Sequence, residues 1–167
     1  LAALESLDGV PGRMQFAAHA GGGSVYVDYA HTPDAVATAL AAIRPHARGR
    51  IIIIIGAGGD RDRAKRPLMG RAARLGADSV IVTDDNPRTE DPSSIRRAVL
   101  EGAPGAVEIA DRAEAIAHGI AMLGEGDVLL IAGKGHEQGQ TVGDKTLPFD
   151  DIDVARRAAA MRREIEA

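Results

Sequence analysis

The chain has 167 residues, 45% hydrophobic and 26% charged, the composition of one soluble globular domain with a sizeable core. Its net charge of −4 argues against a broad nucleic-acid-binding surface, and no apolar run approaches the roughly 20 residues of a membrane helix. The lack of cysteine rules out disulfides, thiolate zinc sites and cysteine nucleophiles together, and is compatible with the cytoplasm.

Leu1–Ala3 is too short and too neutral for a secretory leader, and the chain starts without methionine; it reads as a piece of something longer. Two short strands are expected at Arg13–Phe16 and Ser24–Asp28, around the turn Gly21-Gly22-Gly23. Thr32 as N-cap and Pro33 at the first helical position predict a helix over Pro33–Ile43. The five-isoleucine run Ile51–Ile55 is a continuous apolar strand, the type covered on both faces in a parallel sheet. Arg66–Leu75 reads as a helix stopped by Gly76, and Ser79–Thr83 as the next strand. Asp91-Pro92 repeats the cap-plus-proline signature and opens a helix to Leu100. Val107–Ala110 is a short strand, and Asp111 with Glu114 resembles a capping box before a helix that ends near Leu123. Asp127–Ala132 is another apolar strand, Thr141–Leu147 a last strand and Asp151–Glu166 a closing amphipathic helix.

Strand and helix alternating at this spacing mean βαβ units. The expected fold is an α/β, three-layer Rossmann-like sandwich with a mostly parallel sheet. Ligands in such sheets bind beyond the carboxyl ends of the strands. Four strand ends lead into unusual loops: Asp28-Tyr29-Ala30-His31-Thr32-Pro33-Asp34, Gly56-Ala57-Gly58-Gly59-Asp60-Arg61-Asp62, Asp84-Asp85-Asn86-Pro87-Arg88 and Gly133-Lys134-Gly135-His136-Glu137-Gln138. Gathered on one edge, they offer a small polar ligand both signs of charge.

Each loop also has a plainer reading. Gly56–Gly59 makes a tight strand-to-helix turn, and Asp85-Asn86-Pro87 is a good turn. Arg61 stands where the third glycine of a dinucleotide fingerprint belongs, and no Ser or Thr follows Lys134 to make a P-loop. Arg61–Arg66 reads equally as a solvated helix start. His31 and His136 are compatible with structural hydrogen bonding, and His19, His46 and His118 are expected at the surface. Lys134 is one of three lysines, a scarcity that decides little.

The four loops, in this order and spacing, resemble the Mur ligase family. The resemblance runs from Val10-Pro11-Gly12-Arg13 to the final helix and is to the members that add diaminopimelate. It implies that residues 1–167 are one domain, the C-terminal, amino-acid-binding domain of a three-domain ligase that works in the cytoplasm on peptidoglycan precursors. The implied reaction is ADP-forming: a D-glutamate carboxylate of UDP-MurNAc-L-Ala-D-Glu becomes an acyl phosphate, and meso-diaminopimelate attacks it. ATP and Mg2+ would sit mainly on the central domain. Its P-loop and metal ligands are missing from this sequence, so the piece alone is expected to be inactive, with no metal site and no catalytic residue of its own.

The resemblance also assigns substrate contacts. Arg88 clamps the distal carboxylate of diaminopimelate and Arg61 holds a carboxylate of the same molecule. Asp85, Asn86 and Pro87 lie beside it, and Glu137 with the Gly133 carbonyl accepts from the distal ammonium. Arg13, Asp28 and His31 reach the nucleotide, with a strand-end cap as the alternative for Asp28. A ligase adding another amino acid, a non-catalytic amino-acid-binding module and the related folylpolyglutamate synthases are the rival readings.

Overall fold

The computed structural model describes residues 11–166. Leu1–Ala3 and Val10, where the resemblance starts, lie outside them. In chain order the elements are β1 (Gln15–Ala20), β2 (Gly23–Asp28), α1 (Pro33–Ile43), β3 (Ile51–Ile55), α2 (Lys65–Gly76), β4 (Ser79–Val82), α3 (Pro92–Leu100), β5 (Val107–Glu108), α4 (Arg112–Ala121), β6 (Val128–Ala132), β7 (Gly139–Val142), β8 (Lys145–Pro148) and α5 (Asp151–Glu166). The main sheet has the order β1-β2-β6-β3-β4-β5, and β7 and β8 form a separate hairpin. Only β1 runs antiparallel; the other five strands are parallel.

The isoleucine run explains the three layers. Ile51, Ile53 and Ile55 face one core, with Val36 and Leu40 of α1, Met69 of α2 and Val99 of α3. Ile52 and Ile54 face the other, with Ile116 and Ile120 of α4 and Ala155 and Ala159 of α5. A strand buried on both faces needs no alternation, so every second residue serves a different core. The proposed caps form: Thr32 accepts the Ala35 N–H, Asp91 accepts those of Ser93 and Ser94, and Asp111 accepts that of Glu114.

Two expectations need correction. The first strand is Gln15–Ala20, not Arg13–Phe16. Its last four residues, Ala-Ala-His-Ala, have weak strand propensity, and a bulge between Phe16 and Ala18 breaks the alternation. Ala17 and Ala20 are nonetheless buried in the core that holds Ala155 and Ala159, where small facing residues let α5 lie close to the sheet. The last strand is a hairpin, β7 turning into β8 through Gly143-Asp144, with Gly143 at φ 57°. A two-residue Gly-Asp turn is a hairpin signal.

Candidate functional site

β3 and β6 are neighbours, yet the chain leaves β3 for α2 on one face and leaves β6 for α5 on the other. Loops diverging from adjacent strand ends open a crevice there. A cleft of about 440 Å³ occupies it, lined by parts of all four unusual loops, among them His31, Arg61, Asp85, Asn86, Arg88, Gly133 and Glu137. Two glycines make this convergence possible. A Cβ on Gly59 would stand 1.8 Å from the Pro87 carbonyl oxygen, and one on Gly133, at φ 118°, would stand 2.7 Å from Asp85 Oδ2.

Asn86 is the hub of the cleft wall. Its Oδ1 accepts from Lys134 Nζ at 3.0 Å and from the Thr141 N–H at 2.9 Å. Two donors on Oδ1 fix the amide orientation, so Nδ2 donates to Glu137 Oε2 at 2.8 Å. Lys134 is fully buried, with its Nζ also 3.4 Å from Glu137 Oε2. Asn86 therefore acts as a strut that holds Glu137. Glu137 lines the cleft, and its Oε1 accepts from no group among the described residues. Asp85 uses Oδ1 on the Asn86 N–H at 2.6 Å.

In the same cleft, Arg88 sits half-buried at φ 51°. Its Nη1 donates to the Gly59 carbonyl at 2.7 Å. Nε and Nη2 donate to no group among the described residues. The cleft lining thus includes a guanidinium and a carboxylate, the two kinds of group that a ligand carrying both charges would pair with.

The glycine loop is fixed from beneath. Arg66, expected on a solvated helix start, is instead buried and makes a two-point contact with Glu90, Nη1–Oε2 3.1 Å and Nη2–Oε1 2.8 Å, while Nη2 reaches the Gly58 carbonyl at 3.3 Å. Arg61 stays exposed at the mouth, its Nη1 on the Asp60 carbonyl at 3.2 Å. The hydrogen bond from Arg66, helped by the Asp60 N–H at 2.6 Å, holds the Glu90 carboxyl down to about 2. A lowered folded value means that the unfolded chain takes the proton first. The clamp's contribution is therefore complete above the ordinary carboxylate range and is lost as pH falls towards 2. Acid unfolding of wild type and Glu90→Gln should show a constant stability gap near neutral pH that closes over this window; a gap independent of pH would contradict the contact.

On the other side, Asp28 Oδ2 accepts the Met14 N–H at 2.7 Å and Oδ1 the Ala30 N–H at 2.8 Å. This is the strand-end cap anticipated as its alternative role, and each oxygen keeps a second lone pair. Arg13 lies over the Tyr29 ring, 5.5 Å from its centroid, and the His31 ring packs against the same ring at 4.5 Å, tilted by 55°. His31 is exposed, with Nδ1 on the Tyr29 carbonyl. Among the described residues no group of three or more His, Cys, Asp and Glu side chains is placed to hold a metal ion. No helix there is long and apolar enough to cross a membrane.

Sequence reasoning left several of the supporting residues out. Arg112 and Asp151 form a wholly buried pair, Nε–Oδ1 and Nη2–Oδ2 both 2.8 Å. Arg112 Nη2 also donates to the Ala132 carbonyl at 3.1 Å, one residue before Gly133. Gln140 Nε2 donates to the Asp85 carbonyl at 2.8 Å. Arg112 and Asp151 are 39 positions apart and no local signal joins them; Gln140 carried none either.

The fold is an α/β domain with a polar cleft at the carboxyl ends of its parallel strands. Residues 12–135 match the family model described as Mur ligase, glutamate ligase domain. The chain is 60% identical over 153 residues to the UDP-N-acetylmuramoyl-L-alanyl-D-glutamate–2,6-diaminopimelate ligase of Caulobacter vibrioides, a match covering 91% of this chain and 32% of that protein. Identity to the ligase of the same name from Mesorhizobium japonicum is 55% over 163 residues, 97% of this chain and 34% of that one. A solved structure of such a ligase superposes with a TM-score of 0.87 at 43% identity, over 94% of this chain and 33% of that chain. The chain belongs to the Mur ligase family, and it spans about a third of the length of these relatives.

Proposed function

We propose that the chain is the C-terminal, amino-acid-delivering domain of a three-domain, ADP-forming ligase that joins meso-diaminopimelate to UDP-MurNAc-L-Ala-D-Glu. The observation that carries this reading is that Arg88 and Glu137 line one cleft, each with side-chain atoms that have no partner among the described residues. The names of the relatives at 55–60% identity agree with it. The distal carboxylate of diaminopimelate pairs with Arg88, and Arg61 at the mouth takes the second carboxylate. Glu137 Oε1 and the Gly133 carbonyl accept from the distal ammonium, with Asp85, Asn86 and Pro87 shaping the wall. Both distal groups held, the proximal amine is left as the nucleophile. It attacks the acyl carbon of the activated D-glutamate, phosphate leaves, and the amine gives up a proton. The domain contributes position and charge, which dominate such a reaction.

ATP would sit mainly on the central domain of the complete ligase, with Arg13 reaching its phosphates, Asp28 its ribose hydroxyls and His31 near the same region. Mg2+ would accompany ATP, mainly on that central domain. The test is phosphate release by the complete ligase, given ATP, Mg2+ and the UDP-muramyl dipeptide, with meso-diaminopimelate or L-lysine. Turnover is expected with diaminopimelate and nearly none with lysine, which cannot satisfy Arg88. Turnover with lysine instead would overturn the substrate assignment.

A further inference from the structure

We propose that the β7–β8 hairpin sets amino-acid specificity indirectly, by holding the backbone of Arg88 in the conformation that presents its guanidinium to the cleft. The inference rests on the reading of Arg88 as a carboxylate clamp given above. It makes Gln140, Thr141 and Gly143 positioning residues, none of which is needed to touch the substrate.

Four contacts tie the hairpin to the Asp85–Arg88 loop. Gln140 Nε2 donates to the Asp85 carbonyl at 2.8 Å, and the Thr141 N–H donates to Asn86 Oδ1 at 2.9 Å. The Arg88 N–H donates to the Thr141 carbonyl at 3.0 Å, and the Gly143 N–H donates to the Arg88 carbonyl at 2.6 Å. Both backbone polar groups of Arg88 are therefore spent on β7 and its turn, and Arg88 pairs with Val142 as an isolated bridge. Arg88 needs such support: at φ 51° it occupies the left-handed region that an L residue keeps only when its surroundings impose it. A rotation back to the common regions would swing the side chain away from Gly59 and out of the cleft.

The dependence runs in both directions. A two-stranded hairpin is marginal by itself. This one belongs to no other sheet, and every residue of β8 is exposed. Its order comes in large part from the loop that it holds. A ligand that pins Arg88 should therefore also quieten the hairpin, since coupling between two elements is reciprocal.

The test uses the complete ligase with Gly143→Pro and Gln140→Ala. Proline removes the Gly143 N–H and cannot adopt φ 57°. Gly105→Pro is the control: it imposes the same conflict, at φ 82°, in the exposed turn before β5, at the opposite end of the strands. Amide hydrogen exchange over residues 85–90, without substrate, should rise in both hairpin variants and stay at wild-type level in the control. KM for diaminopimelate should rise about tenfold or more while kcat and KM for ATP change little, because a misplaced clamp costs binding of one substrate. Preference for diaminopimelate over lysine should fall in step. Unchanged exchange over 85–90 would overturn the clasp. Raised exchange with an unchanged KM for diaminopimelate would overturn its role in specificity. A wild-type enzyme that does not use diaminopimelate would refute the substrate reading instead, and the exchange data would still decide whether the hairpin holds Arg88.

Discussion

Replacing Arg88 by alanine is expected to cut kcat/KM for diaminopimelate by roughly 10²–10⁴-fold in the complete ligase and to leave KM for ATP close to wild type. The range follows from two hydrogen bonds to a charged carboxylate, at about 1.5–3 kcal/mol each, with 1.36 kcal/mol per factor of ten. Arg88 Nη1 is committed to Gly59, so the donors free for the ligand are Nε and Nη2, one edge of the guanidinium and a two-point match to a carboxylate. Lysine at this position keeps the charge but offers neither that edge nor the Gly59 contact in the same geometry. Arg88→Lys should therefore fall nearer to alanine than to wild type. Steady-state kinetics with each substrate varied in turn separates these effects. An unchanged KM for diaminopimelate in Arg88→Ala would place the distal carboxylate elsewhere in the cleft.

What could be read from sequence divides along a physical line. The strand-end loops were legible because their signals are local: a cap before proline, glycine clusters, an apolar run that can only be a buried strand. The hairpin was also written locally, in Gly143-Asp144, but Thr141–Leu147 reads as one stretch when the turn is passed over. Arg66, Lys134, Arg112 and Asp151 could not be read in this way. A charged residue is ordinarily solvated, and its burial is decided by a partner far along the chain. Lys134 meets Asn86 from 48 positions away and Arg112 meets Asp151 from 39. Residues that line the cleft were therefore visible from motif alone, whereas most of those that hold them in place were not. Asn86 shows the difference within one side chain: its motif marks it as a substrate neighbour, and its geometry makes it the brace of Glu137.

Breaking the Arg112–Asp151 pair from one side should destabilise the domain by about 3–5 kcal/mol, because the remaining charge is left buried without a partner. Burial opposes the charge on Arg112, but the Asp151 carboxylate, with Asp85 and Glu137 further off, more than offsets it, and the guanidinium is held above its ordinary range. Arg112→Met strands the carboxylate and also removes the donor to the Ala132 carbonyl. Asp151→Leu strands the guanidinium. The double variant Arg112→Met/Asp151→Leu strands neither charge, and a well-packed apolar pair should recover most of the loss. Denaturant unfolding of all three variants in the complete ligase measures this. If each single variant is far less stable than the double, the pair matters chiefly because neither charge tolerates isolation. The kinetics then separate stability from positioning. Ala132 leads directly into Gly133, and Arg112 Nη1 reaches the Asp84 carbonyl, one residue before Asp85, at 3.5 Å. A double variant that is stable but has a raised KM for diaminopimelate would show that the buried guanidinium holds the ends of β4 and β6 in register for the cleft. A double variant with wild-type kinetics would confine the pair to stability and leave the alignment of the cleft to Asn86, Lys134 and the hairpin.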